Sequence, residues 1–95
     1  MSGTAAPTGQ DRTPDAETVI AGARQRIDDL DTRIVELIRE RMTVSAGIQR
    51  ARIESGGRRV HLAREMEVLA RFRGELGRPG TALAMTLLEL CRGRV

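Results

Sequence analysis

The sequence predicts an all-α chain of three helices, one of them very long, forming an intertwined helical homodimer. Three observations carry this. Apolar residues recur in a 3-4 alternation over a long stretch without proline. Helix-breaking residues cluster at 55–57 and 74–80 and divide the rest into helical segments. Phe72 is the single aromatic residue, so the interior must be filled by Leu, Ile, Val, Met and Ala, which suit helices better than sheets.

Residues 1–13 are small, polar and without period, and are expected to be disordered, with 1–15 as an N-terminal tail and 16–95 as the helical domain. Thr13 is expected to cap the first helix. Pro14 suits the first helical position, and Asp15 and Glu17 suit the positive helix end. The seam then reads Ile20, Ala23, Ile27, Leu30, Ile34, Leu37, Arg41, Val44 and Ile48, coiled-coil-like and broken only at Arg41. Ser55-Gly56-Gly57 ends this helix. Nearly 40 helical residues extend about 58 Å, whereas a compact chain of this size has a radius of gyration of about 12–13 Å. Such a helix overruns any globule its own chain could build, and a two-fold related copy is the simplest cover for its seam.

A second helix is expected from Val60 to about Arg73, with an apolar arc of Leu62, Ala63, Met66, Leu69 and Ala70. The stretch 74–80 reads as a connector, and Thr81 as the cap of a third helix that is apolar on nearly all sides, as expected of one packed between others.

The chain has 95 residues, a formal charge of +3 and no lysine. Acids are interspersed with the arginines, so the surface is not uniformly cationic, and anionic ligands fit it. Cys91 is alone and reads as a buried filler, without a disulfide framework. No run approaches the roughly 18 apolar residues of a membrane span. No signal peptide is visible, and a cytoplasmic protein is expected.

Arg41 is the first residue that invites a functional reading. It stands in the seam where Leu or Ile is expected, and a buried guanidinium without a partner is very costly. It is either paired or snorkelling, or it binds an anion inside the bundle. Arg52 lies three turns on, about 16 Å along the same face, with Ser45, Ile48 and Gln49 between or near them. A small anion could lie along this strip; a solvated Arg52 is the alternative. Arg24 lies roughly 25 Å before Arg41 and cannot share a small pocket with it in one chain, though an antiparallel partner's copy can approach. Glu65 interrupts the second helix's apolar arc. It either reaches water or accepts a ligand hydroxyl. Arg64 gains no role from periodicity. Metal-ligand clusters and phosphate-cradling glycine loops are absent, and His61, the lone histidine, has no evident nucleophile partner.

The segments ARQRIDDLDTRIVELIRERMTVSAGIQRAR, SGGRRVHLAREMEVLARF and LAMTLLELCRGR together resemble the all-helical, AroQ-type chorismate mutases, in particular the short actinobacterial subclass. The resemblance spans about residues 20–95. It implies conversion of chorismate to prephenate by an intramolecular Claisen rearrangement without cofactor, metal, nucleophile or proton transfer. Such a reaction needs a compact substrate conformation and cations near the breaking ether bond, whose oxygen gains negative charge. The substrate is a dianion, which suits forked hydrogen bonding by arginine.

On the family pattern, Arg24 reaches a carboxylate from the other subunit and Arg41 grips one from within. Arg52 takes the place of the cation at the ether oxygen, Arg64 lies near the carboxylate end, and Glu65 accepts the ring hydroxyl. Arg58 helps close the site, and His61 stands beside the ring substituent where other members have an acid or an apolar residue. Typical members place a carboxamide late in the third helix; the resemblance runs out at Val95, before it reaches that position. The subclass also implies activation by docking onto DAHP synthase, through Arg92, Gly93, Arg94 and Val95 here. Two readings compete: a mutase or lyase acting on 4-amino-4-deoxychorismate or isochorismate with the same cationic strip, and a non-enzymatic helical module that binds nucleic acid. The second is disfavoured by the single stacking residue and the mixed charges.

Overall fold

The computed structural model describes residues 8–57 and 61–92. Helix α1 runs over Thr8–Glu54, α2 over Leu62–Leu76 and α3 over Arg78–Cys91. No strand occurs among the described residues, and no helix there is long and apolar enough to cross a membrane. By packing, the chain divides into Met1–Val35 and Glu36–Val95. As far as it is described, the first unit is the N-terminal stretch of α1 alone. The second holds the remainder of α1 with α2 and α3.

The helix boundaries follow local chemistry and depart from expectation in two places, the start of α1 and the joint after Arg73, where α2 runs on to Leu76 and the expected connector at 74–80 shrinks to Gly77. Helix α1 starts at Thr8, ahead of the expected cap at Thr13, so Pro14 falls inside the helix and residues 8–15 belong to it rather than to a tail. Only Met1–Pro7 of that tail lie outside the described residues. The C-terminal end is as expected. Gly56 adopts φ +86°, its N–H reaches the Ile53 carbonyl at 3.0 Å, and the Gly57 N–H reaches the Arg52 carbonyl at 2.6 Å. These two bonds make a Schellman motif, which requires the left-handed residue that glycine supplies without a Cβ penalty.

The second departure is at the start of α3, where Gly77 and not Thr81 is the N-cap. Gly77 ends α2 at φ 78°, its N–H bonding the Arg73 carbonyl at 2.7 Å, and the chain re-enters helix at once with Pro79 in the first turn. Proline's fixed φ suits that turn and its missing N–H costs nothing there. Thr81 is thus carried into the helix, and its buried Oγ1 has no hydrogen-bond partner among the described residues. Gly80 explains how the corner can be so tight. A Cβ there would collide with the Phe72 carbonyl oxygen and come within 2.8 Å of Leu76 Cβ.

The core sits between α2 and α3. Val68, Ala84 and Leu88 form its buried cluster, with Leu69 and Phe72 packed against them, and Leu87 and Cys91 extend the buried face of α3. The predicted α2 arc is therefore rotated. Leu62 and Met66 are 71% and 65% exposed, and Val68 takes the inward position. An inner face running through Glu65, Val68, Leu69 and Phe72 keeps i, i+3, i+4, i+7 spacing just as well, so periodicity alone did not separate the two. On α1, Ile38, Arg41, Met42, Ser45, Gln49 and Arg52 are half-buried, whereas Leu37, Val44 and Ile48 of the apolar seam are largely exposed.

Candidate anion-binding cleft

Within the Glu36–Val95 unit, three helices enclose a cleft of about 240 Å³. Helix α1 contributes Arg41, Ser45, Gln49 and Arg52 from consecutive turns of one face, with Val44 and Ile48 beside them. Helix α2 contributes Arg64, Glu65 and Val68 from its first two turns, with its cap His61 at the edge. Leu88, Cys91 and Arg92 close the cleft from the end of α3. Five of the seven predicted substrate-binding residues, Arg41, Arg52, His61, Arg64 and Glu65, therefore line one cavity. Arg24 lies on α1 in the Met1–Val35 unit, beside Glu17, Ile20 and Asp28. Arg58, Gly93, Arg94 and Val95 lie outside the described residues.

The hydrogen bonds in the cleft are specific. Arg41 Nη1 donates to Cys91 Sγ at 2.9 Å. Ser45 Oγ and Gln49 Nε2 both donate to the Cys91 carbonyl, at 3.0 and 2.7 Å, which fastens the last turn of α3 to α1. Arg92 grips Glu65 with two parallel bonds, Nη2 to Oε1 at 2.7 Å and Nε to Oε2 at 3.2 Å, and so ties the end of α3 to α2. Hydrogen bonding by Glu65, then its charge, raises the Arg92 pKa above the ordinary arginine value. At the rim, Arg64 Nη1 donates to Glu67 Oε1 at 3.1 Å, an exposed i,i+3 pair of little energetic weight. His61 Nδ1 accepts the Arg64 backbone N–H at 3.2 Å, so the histidine caps α2 and its Nε2 edge is left for other partners.

Charge accounting then decides what the cleft can hold. Four guanidinium groups and one carboxylate line it. Glu65 offsets Arg92, and Arg64 pairs with Glu67. Among the described residues, Arg41 and Arg52 have no carboxylate partner, and each is only half-buried. Two uncompensated cations in a partly apolar cavity favour a small dianion over water.

Two residues matter more here than their sequence positions suggested. Cys91 is buried, as a filler should be, yet it is also the sole hydrogen-bond acceptor of the Arg41 side chain among the described residues. Its spacing from Ala84 and Leu88 marks the inward face of α3 but carries no sign of that contact. Arg92, expected to serve docking, lines the cleft. The arrangement defines a class: an all-helical protein whose cationic cleft suits a small polyanion, with no cluster of metal-ligating side chains among its described residues.

The family model of chorismate mutase type II matches residues 23–86. The intracellular chorismate mutase of Mycolicibacterium smegmatis is 46% identical over 83 residues, covering 87% of this chain and 80% of that protein. The intracellular chorismate mutase of Mycobacterium tuberculosis is 47% identical over 72 residues, covering 76% and 68%. A chain of the solved non-covalent complex of DAHP synthase and chorismate mutase from Corynebacterium glutamicum, with bound transition state analog, superposes with a TM-score of 0.79. It is 35% identical, and the match covers 84% of this chain and 96% of that one. The chain belongs to the type II, all-helical chorismate mutase family.

Proposed function

We propose that the chain isomerises chorismate to prephenate in aromatic amino acid biosynthesis, in a cleft completed by a second copy of itself. The observation that carries this reading is the pair of guanidinium groups, Arg41 and Arg52, left without carboxylate partners in the same cavity. A doubly negative substrate supplies the missing counter-charges. The rearrangement forms one C–C bond as the ether C–O bond breaks, within a single molecule and without proton transfer. The protein therefore has to hold the substrate folded and stabilise the charge that grows on the ether oxygen.

The roles divide accordingly. Arg41 binds a carboxylate. Arg52, further along the same face of α1, is the cation for the ether oxygen. Arg64 lies near the carboxylate end, and Arg58 helps close the site. Glu65 accepts the ring hydroxyl. Its two bonds from Arg92 do not exhaust it, because an ionised carboxylate offers about four acceptor sites. The same bonds fix its orientation. His61 stands at the cleft edge, where it bears on the ring substituent.

Arg24 of the second subunit supplies a further cation. The exposed apolar residues of α1 support the homodimer. Ile20, Ile27, Leu30 and Ile34 in the first unit and Leu37, Val44 and Ile48 in the second are each 44–59% exposed in the single chain. That much apolar surface on one helix needs cover. DAHP synthase is the proposed second partner, supported by the related complex from Corynebacterium glutamicum. Residues 92–95 are the proposed contact, and Arg92 gives that contact a direct line to Glu65. The protein is placed in the cytoplasm, in keeping with relatives named intracellular.

The deciding experiment is loss of chorismate followed directly, with prephenate identified as product, for the parent chain and Arg52→Ala. Turnover that falls by at least about 100-fold in the variant supports the reading. An inactive parent, with and without DAHP synthase, would overturn it.

A further inference from the structure

We propose that Cys91 is a positioning residue for Arg41: its thiol orients the guanidinium that grips the substrate carboxylate, without cancelling its charge. The inference rests on the reading of Arg41 as a carboxylate-binding group. Arg41 Nη1 donates to Cys91 Sγ at 2.9 Å. Cys91 is only 6% exposed, so water has little access to replace the sulfur as acceptor. The backbone that carries the thiol is itself fixed. Ser45 and Gln49, one and two turns beyond Arg41 on the same face of α1, both donate to the Cys91 carbonyl at 3.0 and 2.7 Å. Three side chains of one helix face thus converge on a single residue of another, and all three line the cavity, the guanidinium being the charged one.

The chemistry of the acceptor matters. A thiol is neutral and a weak acceptor. It engages one end of the guanidinium and leaves the other donors and the full positive charge for the ligand. A carboxylate at position 91 would pair with Arg41 and remove that charge from the cavity. An alkyl group would leave Arg41 without its acceptor, free to sample rotamers that binding must then restrict.

The test uses the full chain as the parent, Cys91→Ser, Cys91→Ala and Cys91→Asp. Two readouts are taken: steady-state kinetics with chorismate, and nitrogen NMR of the Arg41 side chain, which reports hindered rotation of a held guanidinium. Cys91→Ala is expected to lower kcat/KM by about three- to ten-fold, mainly through KM, and to free the Arg41 rotation. Cys91→Ser keeps a neutral acceptor and is expected to stay within about two-fold of the parent, with the rotation still hindered. Cys91→Asp is expected to hinder the rotation while losing more kcat/KM than Cys91→Ala. Equal impairment of the serine and alanine variants would assign Cys91 to packing alone and overturn the proposal, as would an alanine variant indistinguishable from the parent or an aspartate variant as active as the serine one. Should Cys91→Ala fail to fold, serine against aspartate decides. A parent without turnover would sink the reading of function, and the NMR comparison would still decide the contact between Cys91 and Arg41.

Discussion

Arg41 and Arg52 carry the chemistry proposed for this chain, and their surroundings separate them from ordinary surface arginines. Each is half-buried in a cleft, and neither has a carboxylate partner among the described residues. A purely structural role for Arg41 predicts that Arg41→Ala stabilises the protein by removing a half-buried charge. The catalytic role predicts a fall in kcat/KM of at least about 100-fold with the dimer intact, measured by turnover alongside size-exclusion chromatography. Thr81 offers a test of the corner chemistry. Its buried hydroxyl has no partner among the described residues, so Thr81→Val, with nearly the same shape, is expected to leave stability unchanged or raise it by about 1 kcal/mol in denaturant unfolding. Had Thr81 been the expected cap, the same change would cost about 1 kcal/mol.

At the scale of elements, the two ends of α2 are fixed by different devices. Its start is held by the His61 cap, and its end by a glycine shared with α3. The close approach at Gly80 makes this second joint intolerant. Gly80→Ala places a methyl group against the Phe72 carbonyl, which is backbone and cannot swing aside. A loss of about 2–3 kcal/mol is expected, seen as a fall in Tm of roughly 8 °C or more at fixed protein concentration. Gly56→Ala tests the end of α1 independently. It forces an L side chain to φ +86° and is expected to cost about 1–2 kcal/mol. The space around Gly56 is open, so that cost is conformational and not steric.

For the whole molecule, the proposed homodimer rests on the exposed apolar residues of α1, which the single chain leaves without cover. The proposed site takes its Arg24 from the second copy. Sedimentation is expected to give a dimer, and Leu37→Asp, which puts a charge in the exposed seam, is expected to shift it towards monomer and to lower turnover in step. Mixing an Arg24→Ala chain with an Arg52→Ala chain should restore part of the activity, because one of the two sites in a mixed dimer then has both arginines. No recovery would mean that Arg24 and Arg52 act in the same chain or not at all.

The three helices, the break after α1 and the unusual arginine in the seam were legible in the sequence, because apolar periodicity and glycine chemistry act over neighbouring turns. The cationic strip of α1 was legible for the same reason, since one helix face fixes which side chains align. Which way α2 turns was not, because two apolar arcs fit its pattern and only packing against Ala84 and Leu88 selects Val68 as the inward residue. The contacts of Cys91 and Arg92 were equally hidden. Both bridge positions far apart in the chain, and the hydrogen bonds that hold Arg41 and Glu65 exist only once the end of α3 has been brought against α1 and α2.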